Sequence, residues 1–350
     1  MRFYPTRFLC ISFCILLLFF SVLFFFLQGR KTFLPTVERR FPVMGTVCAF
    51  RLTGEAGKSM EEMNQAADAI QDTFYKMEKL CNIFDEKSAL SEINRKIKDY
   101  KIAECPGELW EIFREAGFFY SYTCGAFDVS ISPLMRLWGF YRKKGVLPAS
   151  SAIAETRKNT GWDKFIFDGK KRTVALRAGS LAQMDLGGIA KGYALDKAAE
   201  KAAEMGIKRG LLDLGGNLRS LPLPPQKDRK NFLIGIRDPL GGSSWVENVE
   251  MPNNMSMATS GNYERYVVIN NTRYTHILDA RTGYPVTGML SVTVLTSKGI
   301  HSDALSTSIF ILGEDFAEKV CKEFPSTSVL LFREEKGKII RRGWGIFAKK

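Results

Sequence analysis

The sequence predicts an α+β fold in which a mostly antiparallel sheet packs against helices, preceded by one N-terminal transmembrane segment. Short β-branched and aromatic runs occur in pairs separated by turn residues, a pattern typical of hairpins. Helical periodicity interrupts these pairs, but without the regular strand–helix alternation that predicts a parallel sheet. A single long apolar run opens the chain, and no second one follows it.

The opening run from Phe8 to Leu27 consists almost entirely of Leu, Ile, Val, Phe and Cys. Its length matches the helix that crosses the hydrocarbon core of a bilayer. The following residues 28–31 contain no small-residue cleavage site, which favours an uncleaved anchor over a removed signal peptide. Positive residues flank both ends of the run, so the charge pattern leaves its orientation open.

Length and composition indicate a globular protein of one large domain or two modest ones. Of the 350 residues, 45% are hydrophobic and 25% are charged, which excludes a disordered chain. We assign residues 1–31 to an anchor or signal segment, 32–42 to a linker, 43–332 to a single domain and 333–350 to a basic tail. The net charge is +13, but no basic helix with interleaved aromatic residues occurs, so we expect no nucleic-acid partner.

Local patterns place the main elements in order. Val43 to Leu52 predicts a strand, and Ser59 with Glu62 forms a capping-box pattern before a helix that extends to Cys81. Further helices are predicted at 109–120, 190–205 and 303–312, a hairpin at 165–176, strands at 211–214, 232–237, 265–269 and 290–296, and tight turns at 270–271 and 336–337.

The segment 184–194 carries the most informative chemical pattern. Asp185 ends an apolar stretch, Gly187 and Gly188 follow it, and Lys191 lies in the first turn of the predicted helix. Glycines let a backbone approach a ligand closely, and a helix N-terminus presents free N–H groups to an anion. The pattern matches neither the Walker motif nor G-x-G-x-x-G. A phosphate site and an ordinary strand-to-helix turn both remain open on this pattern alone.

Three other segments carry polar residues whose role stays open on spacing alone. Asp213 and Asn217 surround a Gly-Gly pair and are interpreted as turn caps. Asp303 and Thr307 are four residues apart, so they share one helix face and could supply oxygen ligands to Mg²⁺ or simply pack. His276 precedes a Gly/Pro loop, where either a structural or a catalytic histidine would fit.

Taken together and in this order, these segments resemble the ApbE family of FAD:protein FMN transferases over about residues 41–316. The matching blocks are MGT at 44–46, SALSEIN at 88–94, GAFDVSISPL at 125–134, MDLGGIAKGYALD at 184–196, LLDLGGNL at 211–218, GIRDP at 235–239, MATSGNYERY at 257–266, HILDARTGYP at 276–285 and SDALSTSIFILG at 302–313.

The resemblance implies an ApbE or T-fold-like domain that cleaves the pyrophosphate of FAD with Mg²⁺. FMN would be joined through its phosphate to a Thr or Ser hydroxyl of an acceptor protein, and AMP would leave. The acceptor would be a subunit of a membrane redox complex with a Ser/Thr-Gly-Ala-Thr-like motif. The enzyme would be anchored through lipid contact to the inner membrane, with its domain on the periplasmic or extracytoplasmic side. The chain departs from the family in having no lipidation cysteine in the right context.

The family pattern also implies site residues. The FAD site would be lined by Met44, Phe84, Ala126, Phe127, Asp128, Asp185, Lys191 and Ile277. Mg²⁺ would be held by the carbonyl of Gly188 and by the side chains of Asp303, Ser306 and Thr307. Phe84 stands where family members often have Tyr, so it can stack but has no hydroxyl.

Catalysis is assigned to two residues. Asp303 would act as the metal carboxylate, and His276 is hypothesised as the base that activates the acceptor hydroxyl. Two other functions remain open. The same site could hydrolyse FAD to FMN and AMP with Mg²⁺, or the chain could be a non-catalytic, membrane-anchored flavin-binding module.

Overall fold

A computed structural model describes residues 34–222, 231–242 and 244–348 of the chain. Its helices in this part are α1 (Met60–Cys81), α2 (Ala89–Lys98), α3 (Gly107–Tyr122), α4 (Ser132–Leu137), α5 (Ser150–Arg157), α6 (Ala190–Glu204), α7 (Gly299–Leu312) and α8 (Glu314–Glu323). Its strands in the same part are β1 (Thr36–Val43), β2 (Thr46–Thr53), β3 (Ala103–Glu104), β4 (Phe165–Asp168), β5 (Thr173–Leu176), β6 (Arg209–Leu214), β7 (Asn217–Ser220), β8 (Phe232–Arg237), β9 (Trp245–Met251), β10 (Ser256–Gly261), β11 (Tyr266–Ile269), β12 (Thr272–Thr275), β13 (Leu278–Asp279), β14 (Tyr284–Pro285), β15 (Met289–Thr296), β16 (Ser328–Glu335) and β17 (Lys338–Trp344).

One eight-stranded antiparallel sheet organises the molecule, with strand order β1-β2-β6-β7-β10-β15-β16-β17. Along β16, Val329 and Leu331 join the large core that includes residues of α1, α6 and α7, whereas Leu330 and Phe332 join a second core with the β8–β9 hairpin. Successive side chains of a strand point to opposite faces, so the sheet is covered on both sides. The predicted α+β class with antiparallel pairing is confirmed.

Local predictions hold where a capping or turn residue marks the element. Ser59 and Glu62 form the predicted capping box at the start of α1, each side chain pairing with the other residue's backbone N–H. Asn270 and Asn271 both have positive φ and connect β11 to β12, as expected of a two-residue hairpin turn.

The linker assigned to residues 32–42 is wrong from Thr36 onward. Residues 36–43 form β1, whose Val37, Phe41 and Val43 are buried and which pairs with β2 along its whole length. Pro42 favours a linker on sequence alone, because proline lacks the backbone N–H that a strand donates to its neighbour. An edge strand tolerates this loss, and β1 lies at the edge of the sheet.

The basic tail assigned to residues 333–350 is also wrong over most of its length. Residues 338–344 form β17, the opposite edge of the sheet, joined to β16 by the predicted turn at 336–337. Two of its charges are paired within the domain: Arg341 makes two bonds of 2.9 Å to the carboxylate of Glu247, and Arg342 lies 2.8 Å from Glu314. These ion pairs attach the strand to β9 and α8.

The predicted transmembrane segment, residues 1–31, lies outside the described residues. Within residues 34–222, 231–242 and 244–348, none of the helices has the length and apolar character needed to cross a bilayer.

Candidate active site

The glycine turn between residues 185 and 192 is shaped by the carboxylate of Asp185. Its Oδ1 accepts the Gly187 N–H at 2.9 Å, and its Oδ2 accepts the hydroxyl of Tyr141 at 2.6 Å. The Asp185 N–H donates to the carbonyl of Val129 at 2.7 Å, which ties the turn to the loop 123–130. Asp185 therefore holds the backbone that leads into α6.

This turn meets α7 at a contact that only glycine permits. A Cβ on Gly192 would lie 2.1 Å from the Gly299 carbonyl oxygen and 2.8 Å from Cβ of Asp303. Because the helices approach so closely, the Gly192 N–H donates to Oδ2 of Asp303 at 2.9 Å. On the same helix, Asp196 accepts the N–H groups of Gly299 and Ile300 at 2.7 and 2.9 Å, which caps the N-terminus of α7.

Asp303 is a buried carboxylate with one cation nearby. It is 4% exposed, and Nζ of Lys191 lies 4.0 Å from its Oδ1. The prediction started this helix at residue 303. The observed helix begins one turn earlier, at Gly299, so Asp303 lies within the helix body and is held by partners outside it.

One of those partners is Asn217, which the sequence analysis interpreted as a turn cap. Its Nδ2 donates to Oδ1 of Asp303 at 2.8 Å, while the cap of the Gly215–Gly216 turn comes from Asp213, which accepts the Gly216 N–H at 2.8 Å. A contact between residues so distant in sequence leaves no signal in local spacing, so sequence reasoning missed it.

Two further hydroxyl groups of α7 were predicted to hold the metal. Ser306 is 1% exposed, donates to the Asp303 carbonyl at 2.9 Å and shares a 2.9 Å hydrogen bond with Ser260. Thr307 is partly exposed, and a Cβ on Gly188 would lie 3.5 Å from its Oγ1. The structure thus brings Thr307 to the glycine turn and engages the Ser306 hydroxyl in helix packing.

The backbone carbonyl of Arg265 fixes the tautomer of His276. Its Nδ1 lies 2.8 Å from that carbonyl oxygen, which also accepts the His276 N–H at 3.1 Å. Since a carbonyl only accepts, Nδ1 carries the hydrogen and Nε2 keeps a free lone pair. Burial among protein atoms lowers the pKa of His276 to about 4. The hydrogen bond to the Arg265 carbonyl opposes this shift, and the charges of Arg265 and Lys191 add to it.

The β1–β2 hairpin contacts Arg265, the residue whose backbone binds His276. The guanidinium of Arg265 lies 3.5 Å from the Gly45 carbonyl, in the β1–β2 turn. Met44 has a positive φ of 52° and donates its N–H to Glu78 at 2.9 Å, which fixes the turn against α1. Ile277, next to the histidine, is buried in the main core.

An aromatic cleft lies beside the glycine turn. The ring of Phe84 is 65% exposed and meets Tyr141 edge-on, with centroids 5.2 Å apart. Together with Ile83, Arg136 and Arg142 they line a cavity of about 350 Å³. The Tyr141–Asp185 hydrogen bond connects this cleft to the turn. Tyr141, which sequence reasoning did not identify, therefore brings a hydroxyl to this cleft beside Phe84, which has none.

The loop 123–130 contains three residues predicted to line the FAD site, and the structure gives them different surroundings. A Cβ on Gly188 would lie 3.3 Å from the ring of Phe127, so Phe127 packs against the turn. Ala126 is buried, and Asp128 is buried with both carboxylate oxygens bonded to Ser130 at 2.8 Å. Desolvation raises the pKa of Asp128. These contacts indicate that Asp128 stabilises the conformation of the loop.

The donor set suits a hard cation that shares its shell with phosphate. No cluster of three or more His, Cys, Asp or Glu side chains that could hold a metal occurs among the described residues. The buried carboxylate of Asp303 and the hydroxyl of Thr307, which lies near Gly188, are nevertheless oxygen ligands of the kind that Mg²⁺ combines with water and substrate phosphate.

The chain is similar to a family of known proteins over most of its length. The ApbE family model matches residues 44–331. The FAD:protein FMN transferase of Haemophilus influenzae is 32% identical over 290 residues, covering 81% of this chain and 82% of the relative. The protein of the same name from Treponema pallidum is 28% identical over 320 residues, covering 88% and 87%.

Solved structures show the same likeness. The crystal structure of the ApbE protein of Thermotoga maritima superposes with a TM-score of 0.75 at 32% identity, covering 87% of this chain and 96% of that one. The flavin transferase ApbE of Vibrio cholerae gives a TM-score of 0.75 at 25% identity, covering 89% and 97%. With most of its length matched in sequence and in fold, the chain belongs to the ApbE family.

Proposed function

We propose that this chain is an FAD:protein FMN transferase, which moves FMN from FAD to a Thr or Ser hydroxyl of an acceptor protein and releases AMP. One observation carries the proposal: the glycine turn and α7 meet at Asp303, whose carboxylate accepts the Gly192 N–H at 2.9 Å and lies 4.0 Å from the Lys191 ammonium. Glycine backbone, a cation and a metal-type carboxylate are thereby gathered where a pyrophosphate could lie.

Asp303, the Thr307 hydroxyl and the Gly188 carbonyl are the groups that would hold Mg²⁺, with Ser306 buried behind them. When bound, the metal would offset negative charge on the pyrophosphate as its P–O bond breaks. Lys191 adds a second positive charge on the same side, since its Nζ lies 4.0 Å from Oδ1 of Asp303. The chain's own contribution here is to position and neutralise phosphate oxygens.

His276 is proposed to take the proton of the acceptor hydroxyl. Its Nδ1–H is bonded to Arg265, so the free lone pair lies on Nε2. In the transfer, the acceptor oxygen bonds to the phosphorus on the FMN side, the P–O bond to AMP breaks, and AMP leaves with its electron pair. The proton moves from the acceptor hydroxyl to Nε2 of His276. A low pKa keeps the ring neutral and ready to accept it at neutral pH.

The exposed ring of Phe84 is proposed to stack on a ring of FAD. It stands with Tyr141 at the mouth of the cleft, and Arg136 and Arg142 give that cleft a positive lining suited to phosphate. The acceptor is proposed to be a subunit of a membrane redox complex. The N-terminal apolar segment would keep the enzyme at the inner membrane, on the extracytoplasmic side, where such a subunit is reached.

Co-expression with candidate acceptor subunits tests this proposal. In-gel flavin fluorescence should report a covalently flavinylated acceptor, and mass spectrometry should place FMN on a Thr or Ser. Asp303→Ala should abolish the band, and Lys319→Ala, an exposed residue of α8, provides the control. Free FMN with no protein-bound flavin would indicate an FAD pyrophosphatase instead. Intact FAD after long incubation with Mg²⁺ and acceptor would indicate a binding module.

A further inference from the structure

The Asn217 side chain is the least satisfied polar group at Asp303. Its Nδ2 donates to Oδ1 of Asp303 at 2.8 Å, yet its own Oδ1 is buried and has no hydrogen-bond partner among the described residues. Asn217 itself is 1% exposed. Buried amide oxygens are normally paired, so an unpaired one beside a predicted metal carboxylate needs an explanation.

Geometry fixes which way this amide points. If its oxygen faced Asp303, a carbonyl and a carboxylate would repel each other, whereas the observed NH₂ group donates a charge-assisted hydrogen bond. The turn at Gly215 and Gly216, with φ of 62° and 88°, places Asn217 at the first position of β7. The amide is therefore presented by a rigid hairpin.

The two oxygens of Asp303 consequently have one neutral donor each. Oδ2 accepts the Gly192 N–H, and Oδ1 accepts the Asn217 amide. Lys191, at 4.0 Å, is too distant for a hydrogen bond. Two neutral donors fix the carboxylate plane without cancelling its charge, which is what a ligand of a divalent cation requires.

We propose that Asn217 is a positioning residue for the divalent cation site. Its NH₂ group orients Asp303 by donating to Oδ1, and its own Oδ1 makes no competing hydrogen bond among the described residues. This inference rests on the proposed function only in taking Asp303 as the metal carboxylate. It adds a residue from β7 to a site otherwise built from the glycine turn and α7.

The test measures cation binding directly. Mn²⁺ is titrated into the purified protein, alone and with FAD, and free Mn²⁺ is followed by electron paramagnetic resonance. Asn217→Leu keeps the side-chain shape but removes both polar groups, and it should weaken Mn²⁺ binding about 10- to 100-fold, as the loss of supporting residues does at other metal sites. Asn253→Leu is the matched control, because Asn253 also has a buried Oδ1 without a partner among the described residues but lies in the β9–β10 connection.

Comparing the half-saturating Mg²⁺ concentration with the rate at saturating Mg²⁺ distinguishes a positioning role of Asn217 from a general loss of structure. With Asn217→Leu, the half-saturating Mg²⁺ concentration for flavin transfer should rise by the same factor, while the rate at saturating Mg²⁺ recovers to near that of the wild type. If Asn217→Leu does not fold, Asn217→Ala, which is smaller and also removes both polar groups, replaces it.

Unchanged Mn²⁺ affinity in a folded Asn217 variant, or no Mn²⁺ binding by the wild type in either condition, would overturn the inference. Weakened Mn²⁺ binding in a protein that transfers no flavin would leave the inference standing and reject the proposed function.

Discussion

The hydroxyl of Tyr141 lies 2.6 Å from Oδ2 of Asp185, whose other carboxylate oxygen holds the Gly187 N–H. An aromatic wall of the cleft and the glycine turn are thus joined through one carboxylate. Burial and the negative charge of Asp185 raise the pKa of Tyr141 well above its usual range, so the hydroxyl stays protonated and keeps donating.

Replacing Tyr141 with Phe should weaken FAD binding by about fivefold, since one hydrogen bond of about 1 kcal/mol is lost and the ring is kept. Titration of FAD followed by flavin fluorescence, without acceptor, measures this. Tyr122→Phe is the control, because it removes an equally short bond, 2.6 Å to Glu323, at an exposed position. Equal affinity in the two variants would mean that the Tyr141 hydroxyl does not serve the cleft.

The exposed ring of Phe84 should contribute stacking energy to the same binding. Phe84→Ala is expected to weaken FAD binding by about 2- to 10-fold, from an aromatic contact worth about 0.5–1.5 kcal/mol, and Phe84→Tyr should retain it. Because the ring is 65% exposed, the thermal midpoint should hardly change. Phe118→Ala, at another exposed aromatic position, is the comparison. A fall in stability without a fall in affinity would assign Phe84 to packing.

Protonation of His276 should affect the transfer rate and the stability of the fold over different ranges of pH. Removing the base with His276→Gln should lower the transfer rate by about 10²- to 10⁴-fold at pH 7. In the wild type, the contribution of this ring to the rate should persist below pH 6.5 and disappear only as pH approaches the folded pKa of about 4.

Stability should begin to fall at a higher pH than the transfer rate does. The folded ring stays neutral while an unfolded histidine takes up a proton below its ordinary pKa of 6.5, so protonation favours unfolding between about pH 6.5 and 4. Urea denaturation at several pH values should therefore show a smaller acid-induced loss of unfolding free energy for His276→Gln than for the wild type. Parallel pH curves for the two proteins would contradict the low pKa.

A methyl group at residue 192 should be too large for the contact between α6 and α7. Gly192→Ala puts a Cβ 2.1 Å from the Gly299 carbonyl oxygen, and overpacking of this kind costs about 1–3 kcal/mol or more. Gly169→Ala is the control, since its added Cβ would meet only the Trp110 ring at 3.8 Å. Urea denaturation of both variants gives the comparison. Wild-type stability in Gly192→Ala would show that the helices can separate without loss.

Sequence alone predicts most elements whose residues interact locally. The capping box of α1, the periodic face of α3 and the turn at 270–271 each contain their own signal. The edge strands β1 and β17 were missed because their composition is atypical of strands. β1 contains a proline, and β17 contains basic residues, two of which pair with Glu247 and Glu314.

The residues of the candidate site also divide into those that local sequence predicts and those that only long-range contacts reveal. Asp185, Lys191 and Asp303 belong to segments whose composition already suggested phosphate or metal chemistry, and the structure brings these segments together. Tyr141 and Asn217 are important only through contacts across 44 and 86 positions of sequence. Spacing within a motif cannot reveal such pairs, so the structure was needed to identify them.

The close crossing of α6 and α7 has a consequence for how the enzyme would fail on heating. The backbone amide of Gly192 is bonded to a carboxylate inside the main core, and Asp196 on the same helix closes the start of α7. Fraying at the surface leaves these bonds intact, so the Gly192 amide should exchange with deuterium only through cooperative opening of the whole domain. Thermal inactivation should accordingly coincide with global melting rather than precede it.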